Sequence, residues 1–332
     1  MVLSLLIVFG SLPLLTAAGG GGARSEHQRI VDFWTHARVA QAQPRDFVFD
    51  PTTHQYRPAA GKPGGSGVVS GSSWTKGGAI DGSEGKVLFQ MDGSYWVCSA
   101  TVVTDSANGR SIVLTAAHCV YDEVNHAFAT NWTFIPDYDA APAPLSTSST
   151  AYCNDTLYGC WTAAALTVHN GYATAGGFND QAVLYDWGFA ALGNGGKTGT
   201  LVEDVLDNAY DGPGTQAIVF APQSFGFTGH AFGYPAAQRY KGNDLTYCKG
   251  TVDGDPYNSD DTYRFNGCKM TGGSSGGGML FGFNETTGYG TLFSNNSYGY
   301  SGVSAMHGPF FNANTLATYN AALSGGNDVV GD

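Results

Sequence analysis

Between residues 79 and 325 the chain is a series of short apolar runs that never settle into a helical period, and this punctuation most limits how it can fold. KVLFQM, YWVCSATVV, SIVLTAA, NWTFI, QAIVFA, HAFGY and GTLFS are each separated from the next by Gly, Asn, Asp or Ser. Runs of roughly four to eight residues, rich in β-branched and aromatic side chains and bounded by turn formers, predict an all-β sandwich or barrel. Only Thr315 to Leu323 reads as a helix. Composition agrees: 48 glycines in 332 residues and 13% charged residues are about double and about half the usual shares. With 13% aromatic residues the body is not an acidic disordered chain. The glycines show no three-residue period, which removes collagen. A net charge of −12, from 15 Lys and Arg against 27 Asp and Glu, argues against nucleic acid as a partner.

The N-terminal part has a different texture. Residues 2–18 are apolar and end in Thr16-Ala17-Ala18 before four glycines, as a secretory signal peptide over residues 1–18 does, although no Lys or Arg precedes the run. An uncleaved anchor is the alternative, but the stretch falls short of the roughly 20 residues a spanning helix needs. Six cysteines without a C-x-x-C pair agree with an oxidising compartment and disulfides. Sequons at Asn131, Asn154, Asn284 and Asn295 point to a glycoprotein. The expectation is a secreted, extracellular protein with no stable membrane association once the signal is removed. Residues 19–78 read as a pro-segment and Gly/Pro/Ser linker, hence a zymogen. Ile30, Phe33, Trp34 and Ala37 fall at helical spacing up to Pro44, and residues 57–78 are Gly-, Pro- and Ser-rich. A merely disordered extension is the alternative.

Three stretches carry chemistry. Met270 to Gly278 (MTGGSSGGG) has five glycines in its last seven residues, too few side chains for a core position. Glycines there permit positive φ and close approach by a ligand, and a serine in such a turn can expose its hydroxyl beside convergent N–H groups. Leu114 to Cys119 (LTAAHC) ends an apolar run in a histidine. A Cys98–Cys119 bridge would staple the turn carrying His118 to the neighbouring strand. Tyr185 to Ala190 (YDWGFA) sets one acid, Asp186, in an apolar run, where burial requires a partner.

Together these stretches resemble the chymotrypsin-like serine peptidases. Thr115 to Cys119 matches the family's T-A-A-H-C without change, and Gly273 to Gly277 (GSSGG) matches G-D-S-G-G with one departure. The order His118, Asp186, Ser275, with separations of 68 and 89 residues, is the family's order. The T-G-G-S-S-G-G and Y-D-W-G-F forms look closest to the V8-like, bacterial-type extracellular branch.

The resemblance implies two six-stranded antiparallel β-barrels with a short C-terminal helix: a peptidase domain over 79–325, barrel one about 79–200 and barrel two about 201–315. It implies a triad of His118, Asp186 and Ser275, an oxyanion hole from the N–H groups of Gly273 and Ser275, and no metal or cofactor. Asn296-Ser297-Tyr298-Gly299 resembles the strand that pairs with substrate backbone, with Ser297 facing Asp186. Lys269, Met270, Thr271 and Gly272, with Ser297, Tyr298 and Gly299, would bind substrate. Lys269 at the pocket floor would favour an acidic side chain, whereas a Cys248–Cys268 bridge could turn it outward. Glutamate-specific relatives carry a histidine near the position of Asn296, so specificity stays open. Cys153–Cys160 would be the third bridge. Ser274 stands where the family's activation aspartate sits, so the usual ammonium–carboxylate switch should be absent. Arg29-Ile30-Val31 imitates the activation cut but lies too far before His118.

The implied protein is a secreted monomeric endopeptidase acting on peptide or protein. Gly273-x-Ser275-x-Gly277 also fits the α/β-hydrolase elbow, but only His307 follows as a histidine, with Glu285 the one acid between. A non-catalytic homologue used for binding predicts a broken triad. His118 and His126 stand eight apart, and His36, His54, His169 and His230 are scattered, so none makes a metal-ligand pair and those outside the triad read as surface or loop residues.

Overall fold

A computed structural model describes residues 24–58, 71–140, 144–210, 212–237, 240 and 242–331. The expected signal peptide over 1–18 and residues 59–70 of the expected linker lie outside the described residues.

The first barrel is closed. Its antiparallel strands run in the order Ser94–Val102, Glu84–Met91, Thr130–Pro136, Trp161–His169, Gly188–Leu192 and Ser111–Thr115. The last returns to the first through Thr101 opposite Leu114 and Val102 opposite Val113. The first hairpin turns on Asp92 and Gly93, both at positive φ (48° and 70°), as a tight two-residue turn between right-twisted strands demands. Alternation decides the interior: Val87, Phe89, Cys98, Ala100, Val113, Phe134 and Leu166 pack inside. The opposite-facing Leu88, Val97, Ile112 and Leu114 are buried too, in a second cluster with Phe232, Leu280 and Leu292. That cluster joins the first barrel to the second sheet.

The second sheet contains six antiparallel strands: Tyr289–Asn295, Gly278–Asn284, Phe227–Gly233, Thr246–Gly254, Thr262–Asn266 and Val303–Pro309. Ser294 Oγ donates to the Pro309 carbonyl at 2.7 Å, bringing the first and last of these together. A Cβ on Gly308 would lie 2.1 Å from the Asn295 carbonyl oxygen, so only glycine permits that approach. All three cysteine pairs are bridged: Cys98–Cys119, Cys153–Cys160 and Cys248–Cys268.

The departures from the sequence reading are local. The C-terminal helix is there, as Ala313–Ser324 with Asn312 as its cap. Val202–Ala209, Asn170–Ala173, Asp180–Leu184 and Ala79–Ser83 are helical as well, too short to show a period. The N-terminal helix is broken in two. Glu26–Phe33 is capped by Ser25, and Thr35 caps a new helix, His36–Val39. The break lets Trp34 leave the helix and bury completely, its Nε1–H donating to the Asn131 carbonyl at 2.6 Å. Ile30, Val31, Trp34 and Val39 therefore belong to the core shared by the two barrels. Within the stretch read as linker, Ser72–Ser73 pairs with Thr246 and Tyr247, and Trp74 is buried.

Candidate active site

His118 lies on a short 3-10 turn, Ala117–Cys119, directly after the strand Ser111–Thr115. Strand register brings its partner. Gly188 pairs with Thr115, so Asp186, two residues before the Gly188–Leu192 strand, faces the turn just after Thr115. Asp186 thus occupies the turn ahead of the apolar strand and not the strand itself; the Asp180–Leu184 helix ends just before it.

Its carboxylate accepts from the His118 backbone N–H at 2.9 Å, from His118 Nδ1 at 2.8 Å and from Ser297 Oγ. Both His118 and Asp186 are fully buried. Three donors make up for the water that an ionised acid loses on burial. A carboxylate only accepts, so the proton sits on His118 Nδ1 and Nε2 keeps its lone pair. That Nε2 is buried with no hydrogen-bond partner among the described residues.

Ser275 comes from the other barrel, on the loop entering Gly278–Asn284. Two glycines there hold positive φ, Gly273 at 98° and Gly276 at 86°. A Cβ on Gly276 would sit 2.2 Å from Thr115 Oγ1 and 2.4 Å from the Ser99 carbonyl oxygen, so the two barrels touch through its bare backbone. Ser99 clamps the loop: its N–H donates to the Ser275 carbonyl and its Oγ to the Gly273 carbonyl, each at 2.8 Å. Asn296 holds the other side, its Nδ2 donating to the Ser274 carbonyl at 3.0 Å and its carbonyl accepting from Gly276 N–H at 2.7 Å. Ser274 bonds within its own turn, to the Thr271 carbonyl.

The serine is not exposed as the glycine-rich sequence suggested; it is 2% accessible. The chain itself covers it. Gln43–Pro44 pairs in parallel with Trp96 and Val97, and Phe47–Asp50 pairs in parallel with Tyr298–Tyr300. Between these pairings Arg45 and Asp46 cross the site. Ser275 Oγ donates to Asp46 Oδ1 at 3.1 Å. Arg45 donates to the His118 carbonyl and, at 3.1 Å, to Glu123, whose carboxylate also accepts from Tyr172.

Burial pushes the Asp46 carboxyl from 3.8 up to about 6, with Asp186 adding to the rise. The Ser275 hydroxyl and the Phe47 N–H oppose it, as does any second proton taken up by His118. Between about pH 4 and 6 the folded chain therefore keeps a proton that the unfolded chain releases, and stability falls as pH rises through that window. Asp46→Asn removes this titration. Denaturant melts should show the variant gaining about 3 kcal/mol on the native chain between about pH 4 and pH 7. A difference that does not change with pH would contradict the raised Asp46 pKa.

No protein-family model matches the sequence, and no curated protein does. Solved structures do. The thermostable serine protease AL20 from an extremophilic microorganism is 33% identical with a TM-score of 0.59, covering 74% of this chain and 99% of its own. The protease Anisep from Arthrobacter nicotinovorans is 34% identical with a TM-score of 0.58, covering 76% of this chain and 99% of its own. The chain belongs to the chymotrypsin-like serine peptidases. A Glu endopeptidase, at 18% identity and a TM-score of 0.54, shares the fold over 78% of this chain and 98% of its own.

In this peptidase the other sequence-predicted positions divide. Ser297 faces Asp186 as expected, and Gly299 lies on the strand beside it, paired with Val48. Met270 is buried with the Cys248–Cys268 bridge in the core of the second barrel, whereas Lys269 is half-buried and its carbonyl accepts from Tyr240 OH. Thr271 Oγ1 accepts from Ala237 N–H, and Gly272 packs against Pro44 and Asp46.

Several residues of the peptidase site escaped the sequence reading. Asp46, Arg45, Glu123 and Phe178 have no local motif, and only the fold brings them to His118 and Ser275. Asp255 accepts from Tyr298 OH at 2.7 Å and from Tyr300 OH, with His307 stacked on both rings and fully buried. Burial lowers the His307 imidazole to about 4. His36, His169 and His230, read as surface or loop residues, are buried instead; the first and last contact Asp155 and Glu285. Cys98, His118 and Cys119 bring three ligand-type atoms within 4.8 Å, but both sulfurs are locked in the disulfide and offer no thiolate. Two sequons are closed to glycan in the folded chain: Asn131 Nδ2 is committed to Gln90 and Asn295 Nδ2 to the Asp186 carbonyl, both residues buried. Asn154 and Asn284 are exposed.

Proposed function

We propose that this serine peptidase is a secreted endopeptidase that cleaves peptide bonds through a Ser275–His118–Asp186 triad and an acyl-enzyme. The observation that carries the reading is the buried His118–Asp186 pair, with a lone pair left on Nε2, facing a serine loop clamped from both barrels. Ser275 Oγ attacks the scissile carbonyl as Nε2 takes its proton, and His118 then returns that proton to the leaving amine. Asp186 fixes the imidazole tautomer and stabilises the imidazolium. The N–H groups of Gly273 and Ser275 receive the oxyanion, each worth roughly 10²–10³ in rate. The acyl half of the substrate pairs with Ser297, Tyr298 and Gly299, and the pocket is bounded by residues 269–272. No metal or cofactor enters these steps. The apolar leader, the three disulfides and the two exposed sequons support an extracellular, glycosylated protein.

The test is a fluorophosphonate probe combined with a peptide-library assay on the matured protein. Ser275 should carry the label, and Ser275→Ala should lose both label and hydrolysis. A label at another residue, or hydrolysis equal in the variant, would overturn the assignment. The library profile then reports whether Lys269 selects acidic residues.

A further inference from the structure

We propose that residues 43–58 form a built-in inhibitor of the active site, a strap threaded through the cleft in reverse that holds Ser275 away from its base through the Asp46 carboxylate. The inference rests on the reading of Ser275 as nucleophile and of Ser297–Gly299 as the strand that receives the acyl half of a substrate.

Direction is the first argument. The receiving strand starts at Ser297, against Asp186, and leads away from the triad as numbering rises. A substrate's acyl half must run toward the serine, so it pairs antiparallel to this strand. The strap pairs parallel, with Phe47, Val48 and Phe49 opposite Tyr298, Gly299 and Tyr300. It therefore fills the substrate's backbone positions while running away from the nucleophile. What it offers Ser275 is a side-chain carboxylate and not a scissile carbonyl.

The hydrogen bonding is the second. The Ser275 hydroxyl proton points to Asp46 Oδ1 at 3.1 Å, and His118 Nε2, which should receive that proton, is buried without a partner among the described residues. The nucleophile–base bond is replaced by a nucleophile–strap bond.

The fit is the third. Gly272, in the serine loop, has no side chain where Pro44 and Asp46 sit; a Cβ there would lie 2.9 Å from each. Phe47 stacks on Phe178, with centroids 3.9 Å apart, and sets its edge on His118 at 5.5 Å. Phe49 is buried against Tyr300, and Gln55–Pro58 turns back along Phe47–Asp50 to complete a hairpin. Arg45, bound to the His118 carbonyl and to Glu123, anchors the crossing point. A substrate cannot enter while these contacts hold. The missing ammonium–aspartate switch at Ser274 then has a replacement: latency is imposed from the cleft.

The experiment measures the rate at which a fluorophosphonate labels Ser275 in the full chain, in Asp46→Ala, in Phe47→Ala and in the double variant. Phe47 is only half-buried, so its loss leaves both cores intact, and thermal melts confirm folding of each chain. The native chain should label slowly, each single variant about tenfold faster or more, and the double variant faster still, because the accessible fraction sets the observed rate. A native chain that labels Ser275 as fast as the variants overturns the strap and leaves the peptidase reading standing. A folded double variant that never labels at Ser275 overturns both.

Discussion

Ser275→Ala and His118→Ala will each lower kcat by about 10⁶, and the double variant will fall no further than either alone. Nucleophile and base form one device: without the lone pair on His118 Nε2 the serine hydroxyl keeps its proton, and without the hydroxyl the imidazole has nothing to deprotonate. What survives is the residual rate supplied by the Gly273 and Ser275 N–H groups and by substrate pairing on Ser297–Gly299. KM should therefore change far less than kcat. The comparison is best made in an Asp46→Ala background, where every chain is equally open, using steady-state hydrolysis of one peptide. A double variant far below both singles would mean that the two residues act independently.

Asp186→Asn will cost about 10⁴ in kcat with KM little changed. The carboxylate accepts from the His118 N–H, from Nδ1 and from Ser297 Oγ, and only an acceptor on that side keeps the imidazole proton on Nδ1. An asparagine amide can turn its NH₂ toward Nδ1, which drives the proton to Nε2 and removes the base. Packing is nearly unchanged by this isosteric replacement, so thermal melts should stay close to native while hydrolysis and fluorophosphonate labelling fall together. A kcat within tenfold of native would show that Asp186 does not set the tautomer.

The site was legible where its chemistry is written in contiguous residues. T-A-A-H-C and G-S-S-G-G sit in tight turns whose geometry depends on their own glycines, alanines and bridged cysteine, so their meaning survives without the rest of the chain. Asp186 meets His118, but from the turn ahead of the strand and not from within it, because an apolar run after an acid looks the same whether the acid begins the strand or precedes it. The six strands of each barrel left their mark as alternating runs, whereas helices of four to eight residues, such as Val202–Ala209, are too short to show a period. The role of residues 43–50 was invisible for a different reason. Arg45 and Asp46 form a pair of ordinary charges in a polar stretch, and their partners lie 73 and 229 residues away. Trp34 likewise gave a helical signal that tertiary burial overrode.

The strap also changes how the two barrels present their backbones. It is hydrogen-bonded to Trp96 and Val97 on one side of Ser275 and to Tyr298–Tyr300 on the other. Its departure would bare two sheet edges at once, one from each barrel. An edge with open N–H and C=O groups recruits any extended peptide that reaches it. The protein would thus gain its capacity to bind substrate and its exposure to unwanted strand pairing in the same event, so the segment that silences the enzyme also guards its solubility until it leaves.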